Sequence, residues 1–323
     1  MGIGAFLFLG ALALWRGSHR VGQEQGIRYR VTFITDYAND GYWGRAADGA
    51  ISCAAKYGVD VKCLGSVQMD TDKLLQNLEG AIYAGVDGII TYGLRGSARF
   101  EELLKMANDA QIPLVLIDSD VTTSPRLCYV GTDNQASGYQ AGLAMVKMLG
   151  EKGRILVSVS CRDKGNQFER LKGFEEAIVG YPQMEIARVV ECGSDPVLAG
   201  SKLAMALEEE GDVTGIFCAE GVSSRACCHL MKKLGNQGER HVIVYDLSET
   251  QKEAVEKGWI DTCIQQDSRQ MGERAMEILG EYLTGGEIPE EAVYTQTFFL
   301  TKTTMDQAEG ADYGKAVVEW HYY

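Results

Sequence analysis

YRVTFITDYANDGYWGRAADGA, residues 29–50, is the stretch whose reading decides the fold. Its first part, 29–35, is β-branched and apolar, as a buried strand would be. From there the chain turns into an amphipathic helix, and a strand leading through a short corner into a helix is the repeating unit of a parallel α/β sheet. The corner itself is unusual. Tyr42 and Trp43 stand side by side, with Asp36 and Asp40 just ahead of them. Large aromatics at a corner are unfavourably solvated unless they are buried or await a partner. One of them could staple the helix start; the alternative, expected here, is that both rings face a ligand and fill no core.

Outward from this unit the same pattern repeats. Strands are expected at 30–35, 59–64, 88–92, 114–118 and 127–131, with helices at 43–57, 70–84 and 97–110 between them. A second series has strands at 154–160, 185–190, 213–219, 242–246 and 261–265, and helices near 169–179, 196–209, 223–234 and 249–257. A long helix, 269–282, and a last strand, 294–300, complete the pattern. Near-continuous apolar strands alternating with helices mean parallel sheets covered on both faces. The count gives two doubly wound sheets, dividing near Thr132, Asp133 and Asn134. No Pro/Ser-rich linker separates them, so several short crossings join the two lobes.

A length of 323 residues suits two domains, and a hydrophobic content of 46% suits packed cores. The net charge of −14 excludes a nucleic-acid footprint, which needs clustered Lys and Arg. The nine cysteines include no C-x-x-C pair. Cys128, Cys218 and Cys263 lie in apolar strand-like runs and read as small buried hydrophobes. Cys227, Cys228 and His229 are adjacent in a helical stretch, without the spacing of metal ligands.

In doubly wound sheets, ligands bind off the carboxyl ends of the strands. The first strand is followed by Asp36, Asp40, Tyr42 and Trp43; PLVLIDSD carries Asp118; the strand at 213–219 is followed by Glu220; HVIVYD ends in Asp246; and the strand at 261–265 leads into Gln266. Any one acid could simply cap the next helix. Together they mark a polar rim contributed by both halves.

With these motifs in place, the chain resembles the type I periplasmic binding proteins of the ribose-binding kind, the sugar-binding components of ABC importers. The resemblance spans about 29–302 and rests on the order and spacing of DGYWGRAADGA, AGVDGIITYG, IPLVLIDSD, VGTDNQASGYQAG, NQFERLKGFEEA, IFCAEGVSSRA, VIVYDLSE and CIQQDSRQMGERAMEIL. It implies an α/β protein of two doubly wound parallel-sheet lobes joined by a multi-crossing hinge. The first lobe would comprise 27–132 plus 268–296, and the second 133–267 plus 297–323 with the tail. Hinge crossings would lie near Asp133-Asn134, Gln266-Asp267 and Phe298-Phe299. Family ligand contacts fall on Asp36, Asp40, Tyr42, Trp43, Asp118 and Ser119 in the first lobe, and on Phe168, Glu220, Asp246 and Gln266 in the second lobe and hinge. Sugar rings offer apolar C–H faces to aromatic planes, and vicinal hydroxyls suit carboxylates.

The chain departs from the ribose-binding pattern at Ser119 and Phe168, where Arg is expected, and at Glu220, where Asn is expected. The implied site thus holds up to five acids with little compensating charge, Arg170 being given a structural place at the start of its helix. Ribose itself is in doubt; another pentose or hexose, a polyol or an amino-bearing ligand stays open, and anionic ligands such as sugar phosphates would be rejected. The implied function is that of a monomeric extracytoplasmic protein that delivers a small sugar or polyol to an ABC transporter permease. The alternative partner is a membrane histidine kinase or chemoreceptor. No cofactor, metal or catalytic set is implied.

Other classes lack their motifs. No G-x-G-x-x-G follows the first strand, and no G-x-x-x-x-G-K-[ST], H-E-x-x-H or G-x-S-x-G occurs. The four histidines, His19, His229, His241 and His321, are scattered. A repressor of this fold would carry a helix-turn-helix ahead of it, whereas the N-terminus holds an apolar segment, residues 4–15 (GAFLFLGALALW), followed by Arg16, His19 and Arg20. Residues 1–26 therefore read as a signal-like or membrane-anchor segment, too short to span a bilayer comfortably.

Overall fold

The computed structural model describes residues 27–38, 40–161, 165–193, 195–287 and 290–305, together with the backbone of 320–321. The signal-like segment lies outside the described residues. Among those described, no helix is long and apolar enough to cross a membrane.

The chain alternates strand and helix. In the first half run β1 (Tyr29–Ile34), α1 (Gly41–Ala54), β2 (Val59–Leu64), α2 (Thr71–Tyr83), β3 (Gly88–Tyr92), α3 (Ala98–Asp109), β4 (Leu114–Ile117) and β5 (Cys128–Gly131). The second half has α4 (Asn134–Leu149), β6 (Lys152–Val159), α5 (Gly165–Ile178), β7 (Gln183–Glu191), α6 (Pro196–Glu210), β8 (Gly215–Cys218), α7 (Gly221–Leu234), β9 (His241–Tyr245), α8 (Glu249–Glu256) and β10 (Thr262–Gln266). Then come α9 (Ser268–Leu283), β11 (Ala292–Tyr294), β12 (Thr297–Leu300) and β13 (Trp320–His321). Local chemistry sets the helix starts: Asp70, Ser97, Asp133, Asp195 and Asp267 each accept a backbone N–H from the helix they precede.

Two sheets form, ordered β11-β5-β4-β3-β1-β2-β13 and β12-β10-β9-β8-β6-β7. Among the described residues every pairing is parallel except that of β12 with β10. The strands are apolar on both faces because helices cover both: β3, β4, β5, β8 and β10 are buried along their whole length. The expected α/β architecture is what the chain adopts. In each sheet the strand order reverses beside the first strand, between β1 and β3 and between β6 and β8, which is where such sheets bind ligands.

Three expectations need correction. The strand expected at 294–300 is two strands in different sheets, β11 paired with β5 and β12 with β10. The third crossing therefore lies at Thr295 and Gln296, not at Phe298-Phe299; Thr295 N–H donates to Gly131 and Asp267 N–H to Gln296. The tail was expected with the second lobe, yet β13 pairs with β2 of the first. Helix α4 was not among the expected helices, because the first turns of its buried face are Ser137, Gly138, Ala141 and Gly142, and large apolar residues, Met145 and Val146, join that face only near its end. That small face is functional packing. A Cβ on Gly138 would overlap the Arg170 carbonyl of α5, and one on Gly272 of α9 would overlap the Ala46 carbonyl of α1. Glycine thus sets the close approach of one helix pair in each lobe.

All nine cysteines are free. Seven are buried, among them Cys128, Cys218 and Cys263 as expected from their apolar runs, and Cys53 and Cys161 are half-buried. Burial pushes the Cys63 thiol up to about 12, far from the thiolate form that reacts.

Candidate functional site

A cavity of about 380 Å³ lies between the carboxyl edges of the two sheets. Nine of the ten residues singled out in the sequence line it: Asp36, Asp40, Tyr42, Trp43, Asp118 and Ser119 from the first lobe, and Glu220, Asp246 and Gln266 from the second. Phe168 does not. It sits on α5, 42% exposed, under the guanidinium of Arg95, which is 4.9 Å from its ring centre.

The first-lobe wall is aromatic. Asp40 caps α1 by accepting the Tyr42 N–H at 2.8 Å, and this holds Tyr42 and Trp43 in the first turn, facing the cavity. Trp43 meets Tyr42 edge-on, with ring centres 5.3 Å apart, and lies tilted over Tyr92 at 5.1 Å. Tyr92 ends β3. Its hydroxyl bonds to Asp36 and burial raises its pKa, as burial and the nearby Asp118 and Asp246 raise that of Tyr42. Both phenols are therefore protonated donors. The Tyr42 hydroxyl reaches Asp118 at 2.6 Å. Two carboxylate–phenol pairs thus flank the Trp43 indole. The rings also pack against the apolar clusters of the first lobe, so the expectation that they fill no core is corrected: they form the wall between core and cavity.

The second-lobe wall is polar. Glu220 caps α7 with both oxygens, accepting Val222 N–H and Ser223 N–H at 2.6 Å each. Capping, the bland alternative for any single acid, thus holds for Asp40 and Glu220, which line the cavity as well. Gln266 donates to Asp246 at 2.7 Å, while its carbonyl oxygen accepts from Thr132 at 2.8 Å and Arg170 at 2.6 Å. One amide therefore ties a cleft acid to the crossing between the lobes.

Arg170 takes the structural place expected of it and also borders the ligand space, which was not expected. It lines the cavity, is 1% exposed, and donates to Asn134, Ala219 and Gln266 at 2.8, 2.9 and 2.6 Å. Its guanidinium lies 4.1 Å from the Tyr245 ring centre. A signal existed: Arg170 stands in the buried stripe Gln167, Arg170, Leu171, Phe174 of α5, where an unpartnered charge would be costly. Arg95 and Arg225 also line the cavity, so the expected lack of compensating charge is corrected: among the described residues, five carboxylates face three guanidiniums. Asn166 joins the lobes directly by donating to Asp118 at 3.1 Å.

Asp118 and Asp246 share a backbone peculiarity. Each follows the same strand of its sheet, β4 or β9, in the left-handed region at φ 62° and 63°. That conformation is uncommon for non-glycine residues, though Asp adopts it more readily than most; Gln111 and Glu151 share it outside the cavity lining, whereas Asp118 and Asp246 hold it inside. The two acids are pseudo-equivalent halves of one site.

The family model for the periplasmic binding protein domain matches residues 31–287. The chain belongs to the periplasmic binding protein family. Among curated relatives it is 22% identical to the ribose import binding protein RbsB of Salmonella typhimurium, over 80% of this chain and 86% of that one. Among solved structures it is similar to GanP, a glucose-galactose binding protein from Geobacillus stearothermophilus, with 27% identity and a TM-score of 0.82 over 85% of this chain and 98% of that one. It is also similar to a chain of the XylFII-LytSN complex, with 26% identity and a TM-score of 0.78 over 86% of this chain and 99% of that one. Members of this family are substrate-binding proteins.

Desolvation raises the pKa of Asp246 above its ordinary value, and Arg170 and the Gln266 bond only partly oppose this. The folded state therefore takes up this proton more readily than the unfolded chain. The associated stability is fully present below the unfolded pKa and is lost as pH rises through the folded one. A ligand hydroxyl bonds more strongly to the carboxylate than to the protonated acid, so affinity should fall as pH drops through this raised pKa. Asp246→Asn should remove that part of the dependence, and calorimetry of both proteins across the acid range measures it.

Proposed function

We propose that this chain is an extracytoplasmic solute-binding protein that captures one small, neutral, polyhydroxylated ligand, a sugar or polyol, between its lobes and delivers it to an ABC importer. The observation that carries this reading is the pairing of walls: aromatic faces of Tyr42 and Trp43 on one side, and Asp246, Gln266 and Arg170 on the other. A sugar presents both surfaces, an apolar C–H face and a ring of hydroxyls that donate and accept. Relatives named for ribose and for glucose and galactose fit the same chemistry. Asp36, Asp40, Asp118, Ser119 and Glu220 complete the proposed contacts.

Among the described lining residues carboxylates outnumber guanidiniums, and Arg170 already donates to protein acceptors. A phosphate would therefore be desolvated beside excess negative charge. In a thermal-shift screen of neutral sugars, polyols, amino sugars and sugar phosphates, a neutral sugar or polyol should stabilise the protein most. A sugar phosphate giving the largest shift would overturn this reading. Small-angle scattering at saturation with the best ligand should show compaction, since lobes of this architecture close around their ligands.

A second reading is favoured by the neighbour solved as the XylFII-LytSN complex: the liganded protein docks on a membrane sensor. Loss of labelled-sugar uptake on gene deletion supports delivery. Intact uptake with lost induction by the sugar supports sensing.

A further inference from the structure

We propose that Arg95 and Phe168 form a clasp across the cleft rim that sets how readily the lobes close, and that Phe168 is a positioning residue acting through Arg95 and not a ligand contact. This deepens the solute-binding reading and rests on it. Arg95 follows β3 in the first lobe and lines the cavity; Phe168 belongs to α5 in the second lobe and does not. They meet face to cation at 4.9 Å. The neighbouring surfaces are already in contact range. A Cβ on Gly165, the first residue of α5, would lie 3.3 Å from the Asp120 carbonyl, 3.4 Å from Ser119 Oγ and 3.7 Å from Arg95 Cδ. Deeper in, Asn166 donates to Asp118. The first turn of α5 thus carries two successive ties to the other lobe, a hydrogen bond inside and a cation–π contact at the rim.

The chemistry explains an otherwise odd exposure. A phenylalanine 42% exposed has little burial to gain from its place, but its ring face attracts a guanidinium by the ring quadrupole. Such a contact forms only when the lobes are together, so it favours the closed state whatever the ligand. Its contribution at an exposed rim corresponds to about a three-fold shift in the open–closed ratio. A clasp of this kind scales every affinity equally, because it changes the fraction of competent protein and not the contacts with the sugar.

The test reads the lobe equilibrium without ligand. Protein labelled with 5-fluorotryptophan reports opening through the 19F signal of Trp43, and calorimetry with D-ribose, D-galactose and D-arabinose reports affinity. Phe168→Leu and Arg95→Met should each shift the ligand-free ratio toward open by about three-fold. The double variant should go no further than either single one, and Phe168→Trp should stay near the parent protein. In Phe168→Leu, whose side chain does not line the cavity, affinity for every sugar that binds should fall by the same factor, leaving their ranking unchanged. An unchanged ratio in Phe168→Leu, additive effects of the double variant on that ratio, or a reordered sugar ranking in Phe168→Leu would each overturn the clasp. If none of the three sugars binds, the 19F ratio still decides the clasp, whereas the solute-binding reading is then tested by the wider ligand screen.

Discussion

Arg170→Met should lower the free energy of unfolding by about 3 kcal/mol or more, with binding of any sugar reduced beyond ten-fold. The side chain holds three acceptors at once: the Asn134 amide oxygen, the Ala219 carbonyl and Gln266. Burial opposes its charge, but Tyr245, Asp246 and Asp118 outweigh that effect and raise its pKa. Methionine fills comparable volume but leaves those acceptors without their donor, and Asp246 without the cation that most favours its ionised form. Arg170→Lys should recover little, since an ammonium cannot serve three separated acceptors in one plane. Urea titration gives the stability change. A midpoint equal to that of the parent protein would mean that the network is not what holds the second lobe to the hinge.

Trp43→Ala should be the most damaging change to binding, by about thirty-fold or more. The indole is the centre of the aromatic wall, touching Tyr42 on one side and Tyr92 on the other. It is packed against both apolar clusters of the first lobe as well, so the ligand-free protein should also lose about 2 kcal/mol of stability. Trp43→Phe separates the two effects: it should restore most of the stability and only part of the affinity. Calorimetry and thermal melts on both variants check this. An alanine variant that melts lower but binds as the parent does would make Trp43 purely a core residue.

The architecture was legible because parallel strands buried on both faces advertise themselves as short apolar runs, and the residues ending them follow by simple position. Asp36, Asp118, Glu220 and Asp246 could be found for that reason alone. What sequence hides is direction. Arg170 and Phe168 are two residues apart on α5, and helix geometry turns one into the cleft and the other toward the rim. The contact expected at Phe168 lies outside the cavity lining, whereas Arg170, expected as scaffold, makes its scaffold bonds and lines the cavity as well. The helix α4 escaped because the first turns of its packing face are small residues with little hydrophobic signal, and the third crossing was displaced because 294–300 was expected as one strand although two sheets share it across Thr295 and Gln296.

The interleaving of the chain through the three crossings has a consequence for how the molecule comes into being. Strands β6–β10 of the second sheet are contiguous in the chain, and only its edge strand β12 arrives later. The first sheet is different. Its edge strand β11 and the helix α9, whose Met271, Ala275, Met276 and Leu279 close the core around Phe33 and Val115, are made after the whole of that contiguous block. As the polypeptide is synthesised, the later-encoded lobe is thus the first able to seal its interior. The earlier-encoded one stays without a wall until nearly the last described residues have emerged. Truncation before α9 should therefore cripple the half of the protein that lies farthest from the cut in sequence.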